Sequence, residues 1–270
     1  MEADFNAANK IVYGERMLDN VRKYNLMPEE IFSERGKEAN DGGLAKILFY
    51  DIVRQLKVPA GLASVDAANC YDRVAHAISS MIFQAFGTSA NTCKSMHLAI
   101  QDMQFFLRTA FGDSSKSVGA RLDLKTQGYM QGNGAAPAGW AVVSITIIHA
   151  HKKEGHGATF LCPVTKFSHE VAGILYVDDT DIIHLNLDEE ETLHEAHAAL
   201  QASLTSWSQL LIATGGALKP DKCFYYLISF THDRNGQWVY EHNETREDLS
   251  VTVELPNGHS APMNTFPSMR

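Results

Sequence analysis

At 270 residues the chain has ample length for a buried core, as one large domain or two smaller units. Hydrophobic residues make up 45% and charged residues 20%, a globular balance without internal repeat or low-complexity linker. The formal net charge of −9 does not by itself indicate a nucleic-acid binder. Phosphate contacts need local Lys and Arg, so a nucleic-acid role would require a basic portion beyond this sequence or basic residues gathered on one face.

The four cysteines, Cys70, Cys93, Cys162 and Cys223, are widely separated, without the C-x-x-C spacing of zinc or redox sites. Free thiols in a reducing, intracellular compartment are expected. The N-terminus lacks the basic and apolar regions of a secretory signal, and the longest mostly apolar run, Ala138 to Ile148, is too short to span a bilayer. No membrane association is expected, and that run reads as a buried helix.

In chain order, Pro28-Glu29-Glu30 is a helix-start signal. Leu44, Ile47, Leu48, Ile52 and Leu56 recur at helical spacing and predict an amphipathic helix over 43–56. Pro59-Ala60-Gly61 ends it and leads into a strand over 62–65. Helical patterns follow over about 73–86 and 91–111, then a polar loop or hairpin over 112–124. Pro137 opens a helix carrying Trp140, Val142, Val143, Ile145 and Ile147. Two short strands flank Asp178 and Asp179. A long helix, with acids in its first turn, is expected from Leu187-Asp188-Glu189 to Leu211. Residues 224–230 and 237–240 read as a hairpin turning at Asp233-Arg234-Asn235-Gly236. Strands and helices mix without βαβ alternation, which predicts an α+β fold with an antiparallel sheet.

The chemistry concentrates in Leu175-Tyr176-Val177-Asp178-Asp179-Thr180-Asp181. Two adjacent acids on a tight turn between short strands are a ready divalent-metal site, because a hard cation relieves the repulsion between its carboxylate ligands. A solvated hairpin turn is the competing reading. Upstream, an apolar strand ends in Asp66 and is followed by Ala67-Ala68-Asn69-Cys70-Tyr71-Asp72. Between them lies the glycine-rich Gln131-Gly132-Asn133-Gly134-Ala135-Ala136-Pro137, and downstream Gly215-Gly216 leads to Lys222.

In this order the blocks resemble the palm motifs of reverse transcriptases: D-x-x-x-x-[FY]-D, Q-G-x-x-x-[SA]-P, Y-x-D-D and G-x-x-x-x-x-x-K. The phrasing around Tyr71 and Lys222 is similar to the non-LTR branch of retrotransposon enzymes. The resemblance covers about 28–240. It implies a polymerase right hand, with a palm of antiparallel sheet backed by helices, partial fingers and a missing thumb. The corresponding boundaries are 1–59 for partial fingers, 60–88 for palm, 89–130 for a fingers insertion, 131–240 for palm and 241–270 for a truncated extension.

The same resemblance implies an RNA-directed DNA polymerase working on an RNA template, a DNA or RNA primer and deoxynucleoside triphosphates. Two Mg²⁺ ions, with Mn²⁺ as an alternative, would be held by Asp66 and Asp178 as bridging ligands, by Asp179, and by the backbone carbonyl of Ala67. Tyr71 would be the steric gate that excludes a 2′-hydroxyl. Asn69 and Cys70 would offer backbone N–H groups to the triphosphate, and Gln131-Gly132 would line the nucleotide and template. Lys222, with Lys219 as its competitor, would stand near the leaving pyrophosphate. Arg35 and Lys37 would grip the triphosphate, although Glu34 stands where a basic residue is expected. Asp72 is expected to be structural and Asp181 a packing or surface acid.

His149, His151, His156, His194 and His197 are expected to face solvent, since neither group has a third ligand at metal spacing. Arg108, Lys116, Arg121 and Lys125 read either as template contacts or as a solvated basic face. Two rival functions remain: an RNA-dependent RNA polymerase, against which Tyr71 and Tyr176-Val177 argue, and an inactive or domesticated remnant that binds nucleic acid or protein.

Overall fold

A computed structural model of the chain describes residues 3–119, 126–162, 164–187, 190–243 and 246–265. The chain opens with α1 (Ala3–Asn9), a π-helical segment (Lys10–Glu15) and α2 (Arg16–Lys23). α3 (Ala39–Leu56) leads into β1 (Ala60–Asp66). Three helices follow, α4 (Cys70–Arg73), α5 (His76–Ala85) and α6 (Ala90–Gln101). The hairpin of β2 (Gln104–Thr109) and β3 (Gly112–Gly119) precedes α7 (Ala136–Lys153). Two further hairpins join β4 (Ala158–Leu161) to β5 (Ser168–Val171), and β6 (Gly173–Tyr176) to β7 (Asp179–His184). After α8 (Leu193–Ala213) come a 3₁₀ turn (Pro220–Lys222) and β8 (Phe224–Ile228). The last strands are β9 (Phe230–His232), β10 (Trp238–Tyr240), β11 (Thr252–Glu254), β12 (Ser260–Pro262) and β13 (Asn264–Thr265).

These elements form two compact units, one of residues 1–27 and 69–146, the other of 28–68 and 147–270. The second unit is built on a five-stranded sheet in the order β13-β8-β1-β7-β6. β1 pairs antiparallel with β7 and β8, and β6 pairs antiparallel with β7. β13 lies parallel to β8, so the sheet is mixed rather than wholly antiparallel as expected from the sequence. The extra strand returns from beyond the segment whose pattern was readable.

β1 is covered on both faces, which is why its sequence is nearly all apolar. Ala60 and Leu62 belong to a cluster with Phe49 and Val53 of α3, Ile183, Leu185 and Ile228. On the opposite face α8 comes so close that a Cβ at Gly61 would lie 2.9 Å from Leu200 Cδ2. A larger residue at Gly61 would require the Leu200 side chain to shift.

In the first unit the buried side chains include Met17, Val21, Phe83, Cys93, Met96, Ile100 and Tyr129. Phe83 stacks on Tyr129 with ring centroids 5.8 Å apart. α7 buries Trp140, Val142, Val143, Ile145, Ile147 and Ile148, as its apolar run predicts. Among the described residues no helix is long and apolar enough to cross a membrane, and the four cysteines are free thiols.

Several expectations need correction. Pro28-Glu29-Glu30 opens no helix; it enters a turn and a bridge between Ile31 and Leu175, and α3 starts instead at a capping box of Glu38 and Asp41. In α3 the apolar residues Leu44, Ile47, Leu48 and Leu56 are more than half exposed, while Phe49 and Val53 enter the core. The bulkier ring and the β-branched side chain fit against the sheet, and the longer stripe is left outside. The helix expected over 91–111 ends at Gln101, because Gln104–Thr109 pairs with Gly112–Gly119. The long helix begins at Leu193 rather than Leu187, where Thr192 accepts from the Glu195 amide and Glu195 reaches back to the Thr192 amide. That reciprocal cap sets the start more firmly than the run of acids before it, of which Asp188 and Glu189 lie outside the described residues.

His151 is fully buried, not solvent-facing. Its ring nitrogens meet Ser206 Oγ at 2.9 Å and Ser203 Oγ at 3.1 Å, and burial first, then His156, lower its pKa to about 3. His194 stays exposed beside Asp248 at 3.1 Å, and His197 meets the Ser250 carbonyl at 2.9 Å.

Candidate active site

β6 and β7 form a hairpin whose last pair is Tyr176 with Asp179, leaving a two-residue loop, Val177-Asp178. Val177 has φ of 58°, a left-handed conformation that a β-branched residue adopts only under constraint. Strain of this kind collects where backbone geometry serves a site. On the other side of β7, the register of β1 places Asp66 directly opposite Asp179. Opposed residues of an antiparallel pair share one face, with Cβ atoms about 4.5–5.5 Å apart. The backbone thus brings together two of the three expected acids, and the loop holds the third beside them.

Burial and this crowding act on Asp179 together. Asp179 has its pKa raised by burial first, then by Asp178, Asp66 and Asp181, with Lys222 opposing. Lys222 Nζ stands 3.3 Å from Asp66 Oδ2, whereas Lys219 Nζ pairs with Asp221 at 3.9 Å. The two lysines that the sequence left as competitors are separated by geometry: Lys222 faces the acids.

Lys219 serves through its backbone. Its amide donates to the Asp66 carbonyl at 3.0 Å and the Ala68 amide donates to the Ala217 carbonyl at 2.8 Å, closing a bridge between Ala67 and Leu218. The carbonyl of Ala67 takes no part in that bridge.

Sequence reasoning missed Lys46. Its ammonium on α3 lies 2.8 Å from Asp181 Oδ1, neutralising the acid two residues past Asp179. Asp181 also helps burial push the Tyr50 hydroxyl up to about 12. The partners are 135 residues apart, so no local pattern could have shown the pair.

Lys37 donates to the carbonyls of Glu29 at 2.7 Å and Ile31 at 3.0 Å and lies over the Phe32 ring, while Arg35 is exposed. Two of the three Lys37 donors are therefore committed to the backbone. In the first unit Asn69 is exposed and left-handed at φ 49°, Cys70 is buried and Tyr71 is half-buried rather than a deep core ring. Gln131 and Gly132 are exposed, with Gly132 at φ 90°. Asp72 Oδ1 accepts from the Gln131 amide at 3.0 Å. Arg108 pairs with Asp113 across the β2–β3 hairpin at 2.7 Å, Lys116 is exposed, and Arg121 and Lys125 lie outside the described residues.

The donor set, three carboxylates and the Ala67 carbonyl, is all oxygen and suits a hard divalent cation, and burial together with the neighbouring acids raises Asp179. Among the described residues, however, no group of three or more His, Cys, Asp or Glu side chains is set at metal-holding distance. The fit is therefore one of charge, donor type and backbone register.

No family model matches the chain, and no curated protein matches it. Solved structures do. Telomerase from Candida tropicalis in complex with a TWJ fragment of telomeric RNA superposes with a TM-score of 0.52 at 13% identity, over 83% of this chain and 35% of that one. Apo telomerase from Candida tropicalis truncated from its C-terminal domain gives 0.48 at 13% identity, over 84% of this chain and 44% of that one. The first likeness shows the class of fold, an α+β fold like that of this telomerase. The chain spans about a third of the length of that telomerase.

Proposed function

We propose that the chain is the RNA-directed DNA polymerase domain of a retroelement, adding deoxynucleotides to a primer 3′-hydroxyl on an RNA template. The observation that carries this reading is the register that sets Asp66 opposite Asp179, with Asp178 on the adjoining loop and Lys222 3.3 Å from Asp66. Asp66, Asp178, Asp179 and the Ala67 carbonyl would hold two Mg²⁺ ions. When bound, such a pair activates the attacking hydroxyl and stabilises the leaving oxygen.

The remaining roles belong to the chain's own groups. Lys222 offers a positive charge, and a proton, on the side of the departing pyrophosphate. The amides of Asn69 and Cys70 bind triphosphate oxygens, Tyr71 packs under the sugar and rejects a 2′-hydroxyl, and Gln131-Gly132 lines the base pair. Arg35 and the remaining donor of Lys37 reach the phosphates. The RNA partner belongs to this proposal as well; the telomerase of similar fold was solved with a fragment of telomeric RNA.

A second reading, a remnant that binds RNA or protein without polymerising, draws support from Lys37, which spends two donors on the Glu29 and Ile31 carbonyls. Primer extension with deoxynucleotides and ribonucleotides offered separately tests the proposal. Mg²⁺-dependent, template-directed use of deoxynucleotides is the expected result. Equal or better use of ribonucleotides means an RNA polymerase instead, and no extension with either supports the remnant.

A further inference from the structure

We infer that Asp72 is a positioning residue whose carboxylate latches the glutamine loop to the turn carrying Tyr71, so that the sugar gate and Gln131 are held as one piece. The inference rests on the polymerase reading for its consequence, though the latch itself is a matter of geometry. Asp72 Oδ1 accepts the Gln131 amide at 3.0 Å across 59 residues of sequence. Three further bonds run alongside. The Gly128 amide donates to the Val74 carbonyl at 2.9 Å, the Tyr129 amide donates to the carbonyl of Tyr71 itself, and His76 Nε2 meets the Gly128 carbonyl at 2.6 Å.

A carbonyl only accepts, so Nε2 of His76 carries the proton and Nδ1 receives the Gln101 amide at 2.9 Å. Burial lowers the pKa of His76, which keeps this neutral tautomer in place. Gly128 makes the approach possible: at φ 81° it is left-handed, and any Cβ there would overlap the Asp72 backbone. The inner bonds fix residues 128 and 129 to the carbonyls of Tyr71 and Val74 and to the His76 ring. The outermost bond depends on the Asp72 carboxylate, and it fixes Gln131.

Asp72 is exposed, so a core-packing role does not account for its carboxylate. An acid at this position ties the loop by a charge-assisted bond from an ordinary backbone amide. A loose Gln131 would blur the pocket around base and sugar without touching the acids that hold metal.

The test compares Asp72→Ala with Asp72→Asn in the full chain. The carboxamide oxygen of Asn can still accept from Gln131; alanine cannot. Hydrogen exchange at the Gln131 amide should rise about tenfold in Asp72→Ala and stay near the parent rate in Asp72→Asn. In primer extension, Asp72→Ala should raise the deoxynucleotide KM more than it lowers kcat and weaken discrimination against ribonucleotides, with Asp72→Asn restoring both. Unchanged exchange in Asp72→Ala overturns the latch, whatever the chain's activity. Faster exchange with sugar discrimination intact overturns the positioning role. If the parent chain extends no primer while Asp72→Ala still loosens Gln131, the latch stands and the polymerase reading is what has failed.

Discussion

Asp179→Asn should make the protein more stable in the absence of metal and, on the polymerase reading, abolish nucleotide addition. Asp179 sits opposite Asp66 in the sheet register, next to Asp178 and two residues from Asp181, and its pKa is raised by burial and by these three charges. Like charges directly opposed on an antiparallel pair cost a few tenths to about 1 kcal/mol. Relief of that repulsion should raise Tm by about 0.5–4 °C for a domain of this size.

The pH dependence has a definite sign. A carboxyl whose folded pKa exceeds its unfolded value penalises folding wherever it is ionised, so the penalty is fully present above the raised pKa and disappears as pH falls below the unfolded value. The advantage of Asp179→Asn therefore belongs to neutral pH and vanishes in acid. Thermal melts in EDTA at neutral and acidic pH, repeated with Mg²⁺, measure it. Metal at 100 times its Kd would stabilise the parent by about 2.7 kcal/mol and should close or reverse the gap. A variant less stable than its parent in EDTA at neutral pH would refute the crowding argument, and so would a gap indifferent to both pH and Mg²⁺.

Three more outcomes follow from the same geometry. Lys222→Met should lower the rate of nucleotide addition severalfold while Lys219→Met changes it little, because only Lys222 faces Asp66; single-turnover kinetics decide between them. His151→Leu should cost about 2–5 kcal/mol in chemical denaturation, since it orphans the hydroxyls of Ser203 and Ser206. It should also flatten the acid limb of the stability profile, because His151, depressed to about 3, stabilises the fold above the unfolded pKa near 6.5 and loses that contribution as pH falls. Gly61→Val should cost about 1–3 kcal/mol by driving Leu200 of α8 off β1, five residues before Asp66, and a melt as stable as the parent would contradict that packing.

What the sequence showed best was local. Apolar residues ending in Asp66, and two acids between short β-favouring runs, are local patterns that need no knowledge of distant partners. Which helix face would be buried was not local. Leu44, Ile47 and Leu48 form as convincing a stripe as Phe49 and Val53, and only the shape of the sheet surface decides between them. The helix expected to reach Phe111 failed for a similar reason, because Phe105 and Phe106 suit a strand once Gly112–Gly119 pairs with them. The start of α8 was legible in Thr192 and Glu195, but the acids preceding them gave a competing signal. The Lys46–Asp181 pair and the burial of His151 between two serines depend on tertiary placement alone.

The most direct measurement is single-nucleotide incorporation on a primed RNA template by the full chain and by its Asp178→Asn variant, in Mg²⁺ and in EDTA. The account predicts templated deoxynucleotide addition by the parent in Mg²⁺ alone and its loss in the variant, whose melting curve shows a folded protein. Undiminished addition by Asp178→Asn, or addition that persists in EDTA, would contradict it.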